Sequence, residues 1–205
     1  GPGGMDVHAD IEVWPWQGIL KGDTELYTYE DPDVSTSGNK AAVVYQTTEN
    51  NFGDFDIQCT YTADNGETWA TSVVADNHPD DDTNPSVYMS GNDVYCVYVS
   101  GGNLYLAESN DGGATWGESE KINEEEGTVV AEKDAVSIDA GGIVWTDTRN
   151  GAKDIYFAAL PAPNLGIEAI SGGMGVTATV SNTGTVEASD VAWTIELSGP
   201  VFVGN

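Results

Sequence analysis

The chain has 205 residues, of which 34 are Asp or Glu and 6 are Lys or Arg, so its formal net charge is −28 at pH 7. Nucleic acids and anionic membranes bind basic surfaces, so this charge excludes both as partners, whereas cations such as Ca²⁺ suit it. A hydrophobic share of 40% with 6 Trp and 9 Tyr excludes a disordered acidic tail. Plentiful Gly, Thr, Val and Asp predict an all-β chain with many turns, and no apolar run reaches the ~20 residues of a membrane span.

The N-terminal part gives few assignments. Residues 1–4 (Gly-Pro-Gly-Gly) are interpreted as a cloning scar, and no export signal is visible after them. Residues 11–16 and 25–29 predict strands, and Pro15 places the first of them at a sheet edge or a bulge. We group these strands as an N-terminal piece spanning residues 10–30.

Two segments repeat each other without a gap. Residues 62–69 (Thr-Ala-Asp-Asn-Gly-Glu-Thr-Trp) and 109–116 (Ser-Asn-Asp-Gly-Gly-Ala-Thr-Trp) share the pattern Ser/Thr-x-Asp-x-Gly-x-Thr-Trp at an interval of 47 residues. Such a match arises by chance on the order of once in 10⁶ starting positions, so the two octets indicate an internal repeat. The pattern residues are Thr62, Asp64, Gly66, Thr68 and Trp69 in the first octet and Ser109, Asp111, Gly113, Thr115 and Trp116 in the second.

The repeat extends beyond the octets. Each unit reads as a strand, a Gly/Asn turn, an apolar strand, a polar loop and a third strand, and in the first two units the octet and a short fourth strand follow. Four short antiparallel strands in ~45 residues are typical of a β-propeller blade. The units predict blades at residues 31–76, 84–127 and 133–160, the third without a fourth strand of its own.

Three blades are fewer than the about 4–8 that propellers typically use. Three arrangements remain open. The N-terminal piece contributes a further blade or strand, the chain is an open arc, or two chains complete one ring.

We predict a structural role for the octets. An Asp side chain at a hairpin tip accepts backbone N–H groups two residues on, Gly supplies a positive φ, and the Trp covers the hairpin with an apolar ring. Direct ligand binding by the octets is the alternative.

The sequence changes character after residue 160. Residues 161–163 (Pro-Ala-Pro) form a stiff linker. In residues 164–205, alternating strands at 175–180 and 188–197 flank an Asn-Thr-Gly turn, which looks like the opening half of an immunoglobulin-like module of prokaryotic surface proteins. Such sandwiches need about seven strands in ~100 residues, so we expect a longer natural protein or partner strands from elsewhere.

The octets resemble the Asp-box, or bacterial neuraminidase repeat, of sialidase-like β-propellers. Residues 144–156 look like another recurrent stretch of such repeat proteins. The resemblance covers residues ~31 to 160 and implies a propeller region spanning residues 5–160. Asp boxes occur in proteins of unrelated function, so the resemblance implies a fold and not an activity.

The chain lacks what a sialidase of that family needs. Family sialidases use three arginines to bind the substrate carboxylate, a Tyr nucleophile paired with Glu, and an Asp acid/base. This chain has one arginine, Arg149, and scattered lysines do not reproduce its bidentate recognition of a carboxylate. We predict that Arg149 pairs with Asp147 or Asp154, and that the chain is not a sialidase. No motif identifies a pair of carboxylates that could catalyse glycoside hydrolysis. Nor does any motif identify a Ser or Cys nucleophile that His8 or His78 could activate.

The acidic loop between the first two units is the metal candidate. Hard divalent cations such as Ca²⁺ prefer several oxygen ligands, and the loop offers Asp76, Asp80, Asp81, Asp82 and Asn84. Its spacing differs from that of an EF-hand, and a mutually repelling, metal-free loop is the alternative.

Two further sets of residues have both a structural and a functional interpretation. Cys59 and Cys96 lie in strand-like runs, where buried thiols are favoured over a disulfide. The aromatic residues Trp14, Trp16, Tyr27 and Tyr29 offer rings for stacking on sugars, although packing in a core is favoured for each.

The sequence as a whole favours a non-catalytic, secreted or cell-surface module that binds a glycan or a protein ligand, with Ca²⁺ as a candidate stabilising ion. One alternative is a fragment of a larger sialidase-like glycoside hydrolase whose catalytic residues lie in further blades. Another is a structural surface protein that forms homo-oligomers by strand exchange.

Overall fold

The computed structural model describes residues 6–8, 19–24, 26–77, 79–160, 165–172, 176–183, 191–192 and 194. Every regular element among them is a β-strand, which confirms the predicted all-β class. In this described part of the chain, no helix is long and apolar enough to cross a membrane. The chain divides into two compact units, Gly1–Ala159 and Leu160–Asn205.

A short antiparallel hairpin of β1 (Asp6–His8) and β2 (Ile19–Gly22) precedes the repeats. The strand predicted at residues 25–29 is wrong at residues 26–28, which lie in a turn, whereas Tyr29 does begin a strand. Thr24 Oγ1 accepts the N–H groups of Leu26 and Tyr27 at 3.1 and 3.0 Å, which bends the backbone there. The strand predicted at residues 11–16 lies outside the described residues.

Three antiparallel sheets of consecutive strands follow, which we call blades. Blade 1 consists of β3 (Tyr29–Ser37), β4 (Lys40–Thr47), β5 (Asp56–Thr62) and β6 (Ala70–Ala75). Blade 2 consists of β7 (Asp82–Ser90), β8 (Asp93–Ser100), β9 (Asn103–Ser109) and β10 (Glu120–Lys121). Blade 3 consists of β11 (Val136–Asp139), β12 (Gly142–Asp147) and β13 (Asp154–Ala158). Within the described residues no fourth strand pairs with β13, as the sequence predicts.

Equivalent positions in the blades follow from the tight turn between the first two strands of each. Ser37 pairs with Lys40 in blade 1, and Ser90 pairs with Asp93 in blade 2. The first turn residues, Gly38 and Gly91, have φ of 63° and 64°, which glycine adopts without steric cost. Counting back from these turns shows that Asp33 of blade 1 and Ser86 of blade 2 occupy equivalent positions.

The main core lies between blades 1 and 2. Val44 and Cys59 of blade 1 pack in one cluster with Val87 and Cys96 of blade 2, and each is at most 4% exposed. Fully burying such a side chain contributes about 1.5–3 kcal/mol. Both cysteines are free and buried, which confirms their interpretation as buried thiols, and burial raises the pKa of Cys59 to about 12.

A second cluster lies on the other face of blade 1. It contains Tyr29, Val43 and Tyr45, against which Tyr27 and Trp69 pack. The Tyr29 and Tyr45 rings meet edge to face, with centroids 5.9 Å apart. The packing interpretation is therefore confirmed for Tyr29, whereas Trp14 and Trp16 lie outside the described residues.

Side chains join the first strands of neighbouring blades. Alternate residues of β3 point to one face and accept N–H groups from alternate residues of β7 and from the first residue of the turn after it. The pairs, each at 2.9 Å, are Asp33 Oδ2 with Val87 N, Ser35 Oγ with Met89 N, and Ser37 Oγ with Gly91 N. Ser86 Oγ in turn accepts the Ile138 N–H at 3.3 Å. These bonds hold the three first strands side by side.

The described part of the second unit is an antiparallel hairpin of β14 (Leu165–Gly172) and β15 (Val176–Asn182). The sequence predicts a strand at 175–180, where β15 lies, and a second strand at 188–197 beyond the Asn-Thr-Gly turn. In the structure β15 pairs with β14, which precedes it. Most of 188–197 lies outside the described residues.

Candidate functional site

The first strand of each blade begins beside a non-glycine residue in the left-handed backbone region. Asp31, Asn84 and Asp134 have φ of 47°, 54° and 61°. Asp and Asn tolerate this conformation better than other non-glycine residues do, but it still costs about 1–3 kcal/mol at each position. In blades 1 and 2 a proline follows, and the pairing register with the second strand shifts at the same place. The first strands of blades 1 and 2 therefore bulge near their starts.

Two cavities of about 290 and 560 Å³ open at these bulges and share Asp31, Asn84 and Lys133 as lining residues. We call this region the bulge site. Its polar lining consists mainly of Asp31, Asp33, Gln46, Asp80, Asp81, Asn84, Lys133 and Asp134. All three blades contribute, since the first strands lie side by side.

Hydrogen bonds from buried groups hold the bulge site in shape. Gln46 is 5% exposed, and its Oε1 accepts the Asn84 N–H at 2.9 Å. Its Nε2 donates to Glu30 Oε2 at 3.3 Å. Asp33 Oδ2 accepts the Ser86 hydroxyl at 2.8 Å. These contacts place amide, hydroxyl and carboxylate groups at fixed positions before any ligand binds.

The charges at the bulge site are predominantly negative. The lining carboxylates of Asp31, Asp33, Asp80, Asp81 and Asp134 surround one cation, Lys133. The site therefore favours neutral or cationic ligands and repels anionic sugars.

The structure separates the residues of the predicted calcium loop. Asp80 and Asp81 line the bulge site, whereas Asp82 is fully buried and accepts the Asn77 N–H at 3.1 Å. Asp81 Oδ1 accepts the Phe55 N–H at 2.9 Å. Among the described residues, no three His, Cys, Asp or Glu side chains form a metal-binding group. Calcium binding by Asp76, Asp80, Asp81, Asp82 and Asn84 stays a prediction, and His78 lies outside the described residues.

A buried carboxyl group lies behind this loop. Asp56 is 4% exposed, its Oδ2 accepts the Asn50 amide at 2.7 Å, and its buried Oδ1 accepts no hydrogen bond. Burial is the main cause that raises the pKa of Asp56 to about 6, and the charges of Asp76 and Asp54 add to it. Burial also raises the pKa of Asp82.

We expect Asp56→Asn to stabilise the protein at pH 7.5 by about 2 kcal/mol. A pKa raised in the folded state means that folding favours the protonated acid. Its stabilisation is complete below the ordinary aspartate pKa and is lost as pH rises through about 6. Urea unfolding at pH 4, 6 and 7.5 should therefore show that the unfolding free energy of Asp56→Asn exceeds that of the parent chain by an amount that grows with pH. Glu118→Gln, an exposed control, should show no such growth, and an Asp56→Asn effect independent of pH would refute the assignment.

The two octets share the hydrogen bonds of their aspartates. Asp64 Oδ1 accepts the Thr68 N–H at 2.9 Å, and Asp64 Oδ2 accepts the Thr68 hydroxyl at 2.6 Å. Asp111 bonds Thr115 at the same two distances. The Thr hydroxyl bond is the main cause that lowers the pKa of both aspartates to about 2. The bonded amide is thus four residues on, not two as the sequence suggested.

The octets differ in where the indole N–H donates. Trp69 Nε1 donates to Gly66 O within its own octet at 3.1 Å. Trp116 Nε1 donates to Ser72 Oγ of blade 1 at 3.0 Å, and this hydroxyl donates to Gly113 O at 2.6 Å. The second octet therefore joins blade 2 to blade 1. That the octets serve structure and not ligand binding stays a prediction.

Arg149 forms an ion pair within blade 3 and is not among the residues that line the bulge site. Its Nη2 lies 2.7 Å from Oδ2 of the buried Asp147, and its guanidinium stacks on the Tyr156 ring at 4.0 Å. The Arg149 hydrogen bond lowers the pKa of Asp147. The predicted pairing with Asp147 is confirmed, and this arginine is already engaged within blade 3.

Sequence reasoning missed the bulge site as a unit. It singled out Asn84, Asp80 and Asp81 as metal ligands and did not connect them with Asp31 or Lys133. A signal was present, because Asp31-Pro32 and Asn84-Pro85 stand at the same distance before the turns of their units. That the left-handed residues share one cavity depends on how the blades pack.

No protein-family model matches the chain, and no curated protein matches it. Among solved structures, a Trypanosoma rangeli sialidase in complex with sialic acid has 14% identity and a TM-score of 0.42, covering 81% of this chain and 35% of its own. The polysaccharide lyase Uly1 has 17% identity and a TM-score of 0.38, covering 66% and 28%. A mutant NanB sialidase of Streptococcus pneumoniae has 13% identity and a TM-score of 0.34, covering 70% and 25%. The chain thus spans about a third or less of each of these structures.

Proposed function

We propose that the chain is a non-catalytic, secreted or cell-surface β-propeller module that binds a glycan or protein ligand at the bulge site. The observation that carries this proposal is the cavity to which the first strands of all three blades contribute. Amide and carboxylate groups line it, and the hydrogen bonds of Gln46 and Asp33 hold it in shape. Because the lining is acidic, the ligand we expect is a non-acidic glycan.

Two observations support a binding role over sialidase activity. The chain has one arginine, and Asp147 and Tyr156 already engage it. Among the residues that line the bulge site, Lys133 is the one cation that could bind the carboxylate of an acidic sugar, and five aspartates surround it. The sialidase similarity concerns fold, and we take from it only that glycans are a sensible ligand class to test.

We also propose that the octets belong to the Asp-box class and that residues 164–205 are part of an immunoglobulin-like module. The identical hydrogen bonds of Asp64 and Asp111 support the first assignment. The β14–β15 hairpin is compatible with the second. Both assignments fit a protein that presents modules outside the cell.

A glycan array followed by calorimetric titration tests the proposal. Asn84→Gly removes the side chain but keeps the positive φ, and Lys133→Ala removes the one cation. We expect each variant to weaken binding of the selected glycan by at least tenfold, whereas Lys121→Ala, on the outer strand β10, leaves binding unchanged. The proposal is wrong if no glycan or protein ligand binds, or if both variants bind like the parent chain.

A fluorogenic sialoside distinguishes binding from catalysis. We expect no turnover by this chain above the rate of buffer alone. Turnover that scales with protein concentration would instead favour the glycoside hydrolase interpretation.

A further inference from the structure

The second octet covers one face of blade 1. A Cβ at Gly113 would lie 3.2 Å from Cys59 Sγ and 3.5 Å from Tyr61 Cβ. Trp116 donates its indole N–H to Ser72 on the same face. Three neighbouring positions of blade 1, at Cys59, Tyr61 and Ser72, are therefore covered by the hairpin of the next blade.

The equivalent positions of blade 2 follow from strand pairing. Cys59 pairs with Val44 and Ser72, and Leu106 pairs with Val97 and Glu120. Tyr61 pairs with Ala42, and Glu108 pairs with Tyr95. On blade 2 these positions thus carry Leu106, Glu108 and Glu120.

No third octet exists to cover this face of blade 2. The pattern Ser/Thr-x-Asp-x-Gly-x-Thr-Trp occurs twice in the sequence and not after β13. Leu106 is buried, but beside Glu108 a cavity of about 410 Å³ opens, lined among others by Asp93, Tyr95, Glu108, Thr115 and Trp116. We call it the octet cleft. Its volume lies in the range typical of small-ligand sites.

The octet cleft combines aromatic rings with carboxylates. Tyr95 stacks on Tyr88 with ring centroids 6.2 Å apart and an angle of 19° between the planes, so its orientation is supported from one side. Asp93 and Glu108 lie close enough to Tyr95 to act on it electrostatically. Burial first, then these two charges, raises the pKa of Tyr95. Burial and the charges of Glu120 and Asp93 raise the pKa of Glu108.

This combination matches the chemistry of a pyranose ring. The C–H face of such a ring is apolar and packs against an aromatic side chain, while its hydroxyl groups donate to carboxylate oxygens. Two carboxylates beside the ring repel a sugar that carries a carboxylate of its own.

We propose that the octet cleft is a second binding site, for an uncharged saccharide whose ring lies on Tyr95 and whose hydroxyls donate to Asp93 and Glu108. The site is separate from the bulge site. Asn84 lies near the start of β7, whereas Asp93 begins β8 and pairs with Ser90 at the end of β7, so roughly 20 Å separates them at the rise of an extended strand. The proposal therefore does not depend on the proposed function of the bulge site.

Titration with cellohexaose, followed by intrinsic tryptophan fluorescence and calorimetry, tests the octet cleft in the full chain. We expect binding that Tyr95→Ala weakens by at least tenfold and Tyr95→Phe by less than threefold, because phenylalanine keeps the ring. Glu108→Gln should weaken binding measurably, whereas Glu67→Gln, the same charge change on the first octet, should not. Thermal melting of each variant shows whether it is folded before binding is compared.

Two further arms separate the alternatives. A trimer of galacturonic acid should bind at least tenfold more weakly than a neutral trimer of glucose. Lys153→Ala should leave cellohexaose binding unchanged, because Lys153 pairs with Glu132 and lines neither the octet cleft nor the bulge site. The proposal is overturned if cellohexaose does not bind, if Tyr95→Ala binds like the parent chain, or if the acidic trimer binds as tightly as the neutral one.

Discussion

Replacing Gly142 by alanine should destabilise the first unit by about 3 kcal/mol or more. Gly142 begins β12 with a φ of 145°, a backbone conformation that residues with a Cβ rarely adopt. A Cβ at this position would lie 2.3 Å from the Ala158 carbonyl oxygen on β13 and 2.7 Å from the Phe157 ring. The ring can rotate away, but the carbonyl belongs to the sheet and cannot move without breaking the pairing of β12 with β13.

Gly141→Ala is the matched control for this prediction. Gly141 is the preceding residue, and a Cβ there meets no atom within 4 Å. We expect its unfolding free energy to stay within about 0.5 kcal/mol of the parent chain. Urea unfolding followed by tryptophan fluorescence measures both variants. Equal midpoints for Gly142→Ala and Gly141→Ala would show that the described path of β12 is incorrect.

Replacing Asp33 by alanine should destabilise the protein by about 2–3 kcal/mol. Asp33 Oδ2 accepts both the Ser86 hydroxyl and the Val87 N–H, and Asp33 Oδ1 accepts the Val34 N–H at 2.9 Å. Val87 is 4% exposed, so its N–H group has little access to water as a substitute partner. The loss should therefore be larger than that of an ordinary surface hydrogen bond.

Two further variants calibrate this result. Asp33→Asn keeps one side-chain acceptor, and we expect about half the loss. Ser37→Ala removes the equivalent acceptor for the exposed Gly91 N–H, which water can satisfy, so we expect a loss of at most about 0.5 kcal/mol. If Asp33→Ala and Ser37→Ala unfold at the same urea concentration, the first strands are not held together by this carboxylate.

The repeat itself was readable without coordinates. Two octets at one interval and the alternating strands around them are local patterns, and each reflects hydrogen bonds within one hairpin or one sheet. Asp64 and Asp111 illustrate this, because their partners lie four residues away. The missing fourth strand of the third unit was equally visible, since strand count per unit is a property of the chain order.

Other features depended on contacts across blades. The bulge site needs Asp31, Asn84 and Lys133 in one cavity, although the first and last of these are 102 residues apart in the sequence. The turn at residues 26–28 replaced a predicted strand because the Thr24 side chain competes for the backbone N–H groups. The pairing of β15 with β14 likewise came from the structure, since alternation within a strand does not say which neighbour it pairs with.

The sequence alone determined the all-β class, the repeating unit and the absence of an arginine triad, because composition and short-range spacing suffice for these. Only the tertiary structure decided that Trp116 bonds the neighbouring blade while Trp69 bonds its own octet, and that Tyr95 and Glu108 line an open cleft. The physical reason is that packing between sheets joins residues far apart in the chain, and identical local patterns then meet different neighbours.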